Sequence, residues 1–331
     1  MTDRSFFCTT MCLTYAFTIL QHYPVVMWSY VGAKSYHYLH GVTSSGRMWE
    51  TIGMFGFFII CAIVTIVSGW DSVTLARFAQ ALSVAAGGPT LFFAYHKRYP
   101  TVKAAKVLPE GSSLYSAGVK ELWTTIVDLG KTEPAVQRFL FTIIFLDASV
   151  GGFTNLAIIY LSQQLQLSST EIVIFILINL LSNPIGVFVH KKLARKVGHK
   201  KNFCIMIGAW IVLTILFISL IAGPEQRYGA YAFAVLYGYA FGHYYPSTNG
   251  YFVSLVPKER ATELWGWNIF AGVVLSWVPP LIFTSVNETT GNLRLALLGM
   301  FSFLVVGFVL ALTIPPSNPD KSNDDSFVND E

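Results

Sequence analysis

The feature that most constrains this chain is a series of apolar runs, each close to the length of a membrane-spanning helix and separated by short polar turns. The runs fall at about 51–69, 73–95, 139–161, 172–189, 203–222, 230–253, 264–285 and 293–314. A stretch of roughly 20 apolar residues crosses the hydrocarbon core as an α-helix, where each backbone N–H and C=O is satisfied within its own segment. A ninth run at 6–31 is interrupted by His22 and Pro24. There a leader peptide competes as a reading, because Arg4 precedes a short apolar stretch, but no small-residue cleavage site follows. With 53% hydrophobic and 12% charged residues, the chain carries more apolar surface than a water-soluble core of 331 residues hides. An all-α polytopic membrane protein is therefore expected.

The few cations then orient the runs. The segment His190 to Lys201, reading HKKLARKVGHKK, holds Lys191, Lys192, Arg195, Lys196, Lys200 and Lys201 between two apolar runs. Cations concentrate on the cytoplasmic side of membrane proteins, so this loop is placed inside. Strict alternation of spans then puts 96–137 inside as well, and that segment independently carries Lys97, Arg98, Lys103, Lys106, Lys120 and Lys131. The same parity places Lys258, Arg260 and the acidic tail NPDKSNDDSFVNDE inside, while the opposite loops are poor in cations. The net charge of +4 thus points to lipid head groups, and no nucleic-acid module is visible. Cys8, Cys12, Cys61 and Cys204 lie in apolar runs without paired spacing and read as small hydrophobes.

Four segments follow. Residues 1–96 form a partial N-terminal transmembrane bundle of about three spans, and 97–137 a cytoplasmic linker. Residues 138–314 form a six-span bundle, and 315–331 an acidic cytoplasmic tail. Within the linker, Val119, Leu122, Trp123 and Ile126 recur at helical spacing, which predicts an amphipathic helix along the membrane face. A six-span half after a long basic linker is the layout of the second bundle in a two-bundle secondary transporter.

Two stretches carry a family resemblance. LARKVGHKK resembles the cytoplasmic helix-loop-helix signature of the major facilitator superfamily, with Gly198 for the turn and Lys200 and Lys201 at its basic end. Arg195 stands where that signature usually has an acid. Residues 255–294, through the spacing of Pro257, Lys258, Glu263 and Gly266 and then Trp277, Pro279 and Pro280, resemble the vacuole-effluxer, autophagy-related branch of that superfamily. FLDASVGGFTNLA fits that family's seventh span and VTSSGRMWETIGMFG its fifth. The resemblance implies a major-facilitator-like fold with a complete C-terminal six-helix bundle, beside an N-terminal bundle lacking its first three or so spans. It also implies efflux of amino acids or similar small solutes across a vacuole-like organellar membrane, for which Asp147 would be the proton- or substrate-sensing group. A truncated, non-transporting membrane protein or interaction subunit is the alternative. Where related members carry Ser-Arg-Ser in the tenth span, this chain has Thr248, Asn249 and Gly250.

The candidate solute-binding residues are Asp147, Thr154, Asn155, Tyr245 and Asn249. Asp147 is the one acid deep inside a predicted span, where burying a carboxylate costs roughly 3 kcal/mol on insertion scales and therefore implies a polar cavity or a partner. Gly151, Thr154 and Asn155 follow it on one helical face. A polar packing seam is the alternative reading of that stripe. In the tenth span, Phe241, Tyr245, Thr248, Asn249 and Phe252 share a face, and Pro246 with Gly250 loosens the helix. His243 reads as a lone structural histidine, although a histidine can titrate near neutral pH. No nucleophile elbow, metal-ligating pattern or phosphate-cradling loop occurs, so neither an enzyme, a metal nor a cofactor is expected.

Overall fold

In the computed structural model, punctuation in the sequence sets where the helices begin and end. The structure describes residues 52–64, 66–70, 72–97, 124–125, 127–257 and 260–315. The run at 6–31, most of the linker with its Val119, Leu122, Trp123 and Ile126 stripe, and the acidic tail lie outside the described residues. Among the described residues the regular structure is entirely helical, as expected for an all-α polytopic membrane protein. The chain divides into two units at residues 124 and 125.

In the first unit, α1 (Ile52–Ser68) and α2 (Ser72–Lys97) are joined at Gly69, whose φ of 62° suits a residue without a Cβ. Trp70 packs edge-on against Phe78 across that turn.

The second unit holds α3 (Pro134–Gln163), α4 (Ser169–Val197), α5 (His199–Leu220), α6 (Gly229–Leu255), α7 (Ala261–Val274), α8 (Val278–Thr290) and α9 (Leu293–Thr313). Pro134 opens α3, at a position where its missing N–H costs nothing. Ser168 and Glu171 close a reciprocal capping box at the start of α4. Gly198, at φ 82°, lets α4 turn into α5 inside the basic segment. The run expected as a span at 264–285 lies within Glu263–Thr290, which is long and apolar enough to cross a membrane, and within it the helix breaks into α7 and α8. The interruption at 275–277 follows from Pro279 and Pro280, which have no N–H to continue the ladder. The Val278 N–H bonds the Leu275 carbonyl at 3.0 Å, and the Trp277 indole covers the Val274 carbonyl at 3.1 Å.

Cations and amides satisfy the last carbonyls of the helices at both ends of this unit. At one end Arg138 donates to Thr313 O and Lys200 to Ile314 O, both at 2.5 Å, which brings the basic segment and the end of α9 together. At the other end Arg294 donates to Ile218 O at 2.7 Å, Tyr160 to Ile221 O at 2.5 Å and Gln164 to Ala222 O at 2.7 Å. Between the ends, Phe139, Phe203, Tyr251 and Phe252 pack as one aromatic cluster, and Phe153, Trp210, Phe217 and Tyr237 as another. Large apolar side chains such as Leu181, Ile185, Phe188, Val212 and Val309 face outward, as they do where the surrounding solvent is hydrocarbon. Five helical segments among the described residues are long and apolar enough to cross a membrane.

The closest helix contact is between α4 and α6. Gly186 on α4 and Gly238 and Gly242 on α6 lie directly against backbone carbonyls of the facing helix, those of Tyr239, Asn179 and Asn183. Such small-residue seams replace the hydrophobic driving force that helices lack in lipid.

Candidate functional site

Asp147 sits near the middle of α3, half-buried among neighbours from two other helices. The Tyr244 hydroxyl, on α6, donates a 2.5 Å hydrogen bond to its Oδ1. On the other side Gly272 of α7 lies so close that an added Cβ would fall 2.6 Å from Oδ2. Gly272 is less than one turn before the interruption at 275–277, and Gly152, less than two turns further along α3, faces Pro279 and Pro280 just after it. The carboxylate is therefore held at the point where the α7–α8 pair breaks, with α3 bridging both pieces. Helix interruptions of this kind expose backbone groups at mid-membrane depth and are where transporters place their ligands.

The predicted residues divide around that point. α3 and α6 run antiparallel, as the ring pairs Phe139–Phe252 at 5.3 Å and Phe153–Tyr237 at 4.2 Å show on either side of Asp147–Tyr244. Gly151, Thr154 and Asn155 form an exposed stripe on one side, Thr154 and Asn155 about 10 and 12 Å along the axis from Asp147. Asn249, half-buried, lies toward the opposite side, at levels between Tyr244 and Phe252. Tyr245 lies beside the partner of Asp147, since its ring meets that of Tyr244 edge-on at 5.4 Å and stacks on Phe241 at 6.4 Å. The aromatic wall continues from Phe241 to Trp210 at 4.9 Å. Of the five residues expected on one face of the tenth span, Phe241, Tyr245 and Asn249 are half-exposed, but Thr248 and Phe252 are buried. Thr248 turns its hydroxyl back to the Tyr244 carbonyl at 2.9 Å, beside the proline that loosens the ladder.

A family model described as vacuole effluxer Atg22-like matches residues 33–322. The chain belongs to that family. It is 21% identical over 213 residues to autophagy-related protein 22 of Cryptococcus neoformans var. neoformans, covering 59% of this chain and 39% of the relative. It is 22% identical over 187 residues to the protein of the same name from Candida glabrata, covering 54% and 34%. An uncharacterized MFS-type transporter, YxiO of Bacillus subtilis, is 24% identical over 194 residues, covering 56% and 44%. The matched stretch thus spans between 34% and 44% of the length of these curated relatives. Among Atg22-like features, the 255–294 segment that carried the resemblance contains the α7–α8 interruption and Gly272.

Three residues of this Atg22-like chain contribute to the polar interior without having been singled out for it in the sequence. Tyr244 is adjacent to the chosen Tyr245, and helical spacing alone cannot say which of two neighbours points at α3. Gly272 carries no signal until its partner is known. Asn202 is wholly buried and ties His243 to His190, so His243 is not a lone histidine. Replacing Tyr244 by Phe is expected to destabilise the bundle by about 1–2 kcal/mol, the range of interhelical hydrogen bonds in membranes. Thermal unfolding in detergent checks this, and the loss should vanish in an Asp147→Ala background, which leaves the Tyr244 hydroxyl no acceptor at that position.

Proposed function

We propose that this chain works as a secondary transporter of the major-facilitator type, moving amino acids or similar small solutes out of a vacuole-like organelle with protons as the coupled ion. The observation that carries this reading is the Asp147 carboxylate, held by Tyr244 and Gly272 at the break between α7 and α8. A charge kept at mid-membrane depth is costly unless it serves a ligand or a proton path, and its neighbours here leave one flank half-open. Asp147 is the group that senses proton or solute. The exposed Thr154 and Asn155 supply neutral hydrogen-bonding groups along the same stripe, while Tyr245 and Asn249 present an aromatic face and an amide from α6. The printed family description and the MFS-type relative support the same direction. The vacuolar location rests on that description.

The test is flux into and out of vesicles. The chain, reconstituted alone or with whatever protein co-purifies with it, is given an imposed pH gradient and a panel of labelled amino acids. Saturable, gradient-driven movement of at least one of them is expected. Replacing Thr154 and Asn155 together by Ala should raise the half-saturating solute concentration about tenfold, as loss of one or two neutral hydrogen bonds would. A flat response across the panel would leave the interaction-subunit reading ahead.

A further inference from the structure

A second buried polar cluster lies away from Asp147, where α4, α5 and α6 meet near the basic segment. Asn202 is at its centre, 0% exposed, with Ser247 at 1%, His243 at 3% and His190 at 9%. The Asn202 Nδ2 group donates to His190 Nδ1 at 2.9 Å and to Ser247 Oγ at 3.1 Å, and Asn202 Oδ1 faces His243 Nε2 at 2.9 Å. The two imidazole rings are 5.6 Å apart.

An amide has one accepting side and one donating side. Of the two imidazole nitrogens that face Asn202, one must therefore carry a proton and the other must be bare, and rotating the amide by a half turn exchanges the roles without changing the rule. In the arrangement above, His243 donates through Nε2–H and His190 accepts through bare Nδ1. His243 can take up a proton at Nδ1 with every one of these hydrogen bonds intact. His190 cannot, because a proton on its Nδ1 would oppose the amide N–H; flipping the amide would merely move the clash to His243. We propose that His190, Asn202, His243 and Ser247 form a binding site for a single exchangeable proton, in which the second histidine is barred from protonation while the amide contacts hold.

The surroundings act in the same direction. On α4 the neighbouring charges are Lys191, Lys192, Arg195 and Lys196, and on α5 they are Lys200 and Lys201, with His199 beside them. From α6 the titratable side chain that meets His243 is Tyr239, edge-on at 6.0 Å, and the other titratable groups of that helix are likewise tyrosines. Neither α5 nor α6 contains an acid, and the acid on α4 is Glu171 in its first turn, at the far end of the helix. Of the remaining helices packed on α5, α9 carries Arg294, which is engaged at the opposite end with Ile218. α3, which also packs on α6, carries Asp147, but its Oδ1 accepts from Tyr244, the residue after His243, and on α4, α5 and α6 the charges at this end of the bundle are cations. A second proton would have to separate α4 from α5 and α6, so the site also ties protonation to the packing of this end of the bundle.

The proposal does not depend on transport and is tested without it. The whole chain, labelled with 15N-histidine and placed in lipid nanodiscs, is titrated from about pH 8 to about pH 5, the range in which histidine changes charge. His190→Gln and His243→Gln spectra identify the two ring systems among the 7 histidines of the sequence. In the wild-type protein the pair should take up one proton between them, with the second delayed by at least about two pH units, as strongly coupled sites behave. In Asn202→Asp a carboxylate can accept from both rings, so both should protonate together and the lower step should rise by more than about one unit. Should Asn202→Asp fail to fold, His243→Gln gives the same information. Glutamine can present either oxygen or N–H, so His190 should there protonate at higher pH than in the wild type. Two independent protonations near the ordinary value of about 6.5 in the wild type would overturn the proposal. So would an unmoved titration in Asn202→Asp, or in His243→Gln.

Discussion

Asp147→Asn is expected to leave the protein inserted and folded while lowering pH-driven flux by at least about a hundredfold. The amide is nearly isosteric with the carboxylate, and its carbonyl oxygen still accepts the hydrogen bond from Tyr244. It is also less costly to hold in the membrane, since the insertion penalty of a carboxylate at a helix centre is about 3 kcal/mol and an amide carries no charge. Thermal unfolding should therefore move little or rise. What the amide cannot do is bind and release a proton within the working pH range. Counterflow, in which labelled solute exchanges across the membrane without net proton movement, separates the two roles of this side chain. If Asp147 carries the proton alone, counterflow survives in the variant; if it also contacts the solute, counterflow falls with the gradient-driven flux. Normal gradient-driven flux in Asp147→Asn would remove the residue from the site and leave Tyr244–Asp147 as a helix-to-helix tie.

How much of this was readable beforehand follows from what each signal depends on. Apolar runs depend only on the thickness of the membrane, so 139–161, 172–189, 203–222, 230–253 and 293–314 each match one helix of the second unit, overrunning its end by at most two residues. The break inside 264–285 comes from Pro279 and Pro280, which remove two N–H groups and were legible as residues though not in hydropathy. Asp147 stood out because a charge in an apolar run has few explanations. Its partner did not, since Tyr244 and Tyr245 differ by about 100° around the helix and only the placement of α3 decides between them. The stripe at Gly151, Thr154 and Asn155 was visible as a periodicity and is exposed, yet Asn249 falls on the other side of Asp147 because α3 and α6 are antiparallel. The His190–Asn202–His243 cluster joins residues from three helices, each an ordinary polar side chain in its own segment. No single helix contains the pattern.

The largest effect on folding is expected at the glycines between α4 and α6. In the sequence, Gly186, Gly208, Gly238 and Gly242 are equivalent, each a flexible residue inside a helix, and each should be improved by Ala through helix propensity worth up to about 1 kcal/mol. Their surroundings separate them. A Cβ at Gly208 meets nothing within 4 Å, whereas one at Gly242 would collide with the Asn183 carbonyl oxygen, one at Gly238 with that of Asn179, and one at Gly186 with that of Tyr239. Backbone cannot rotate out of the way as a side-chain tip can, so the helices must part along their whole contact. Gly242→Ala should then cost about 3 kcal/mol or more net of the propensity gain, near the upper end for overpacked interiors. Gly242→Leu should abolish the folded bundle. The same displacement would pull His243 from Asn202 and Tyr244 from Asp147, because those contacts come from the residues immediately after Gly242. Gly208→Ala is the matched control and should leave stability unchanged or slightly raised. Monodispersity on size exclusion and resistance to limited proteolysis in detergent distinguish the two outcomes. Equal tolerance of Ala at Gly208 and Gly242 would mean that α4 and α6 do not meet through this seam.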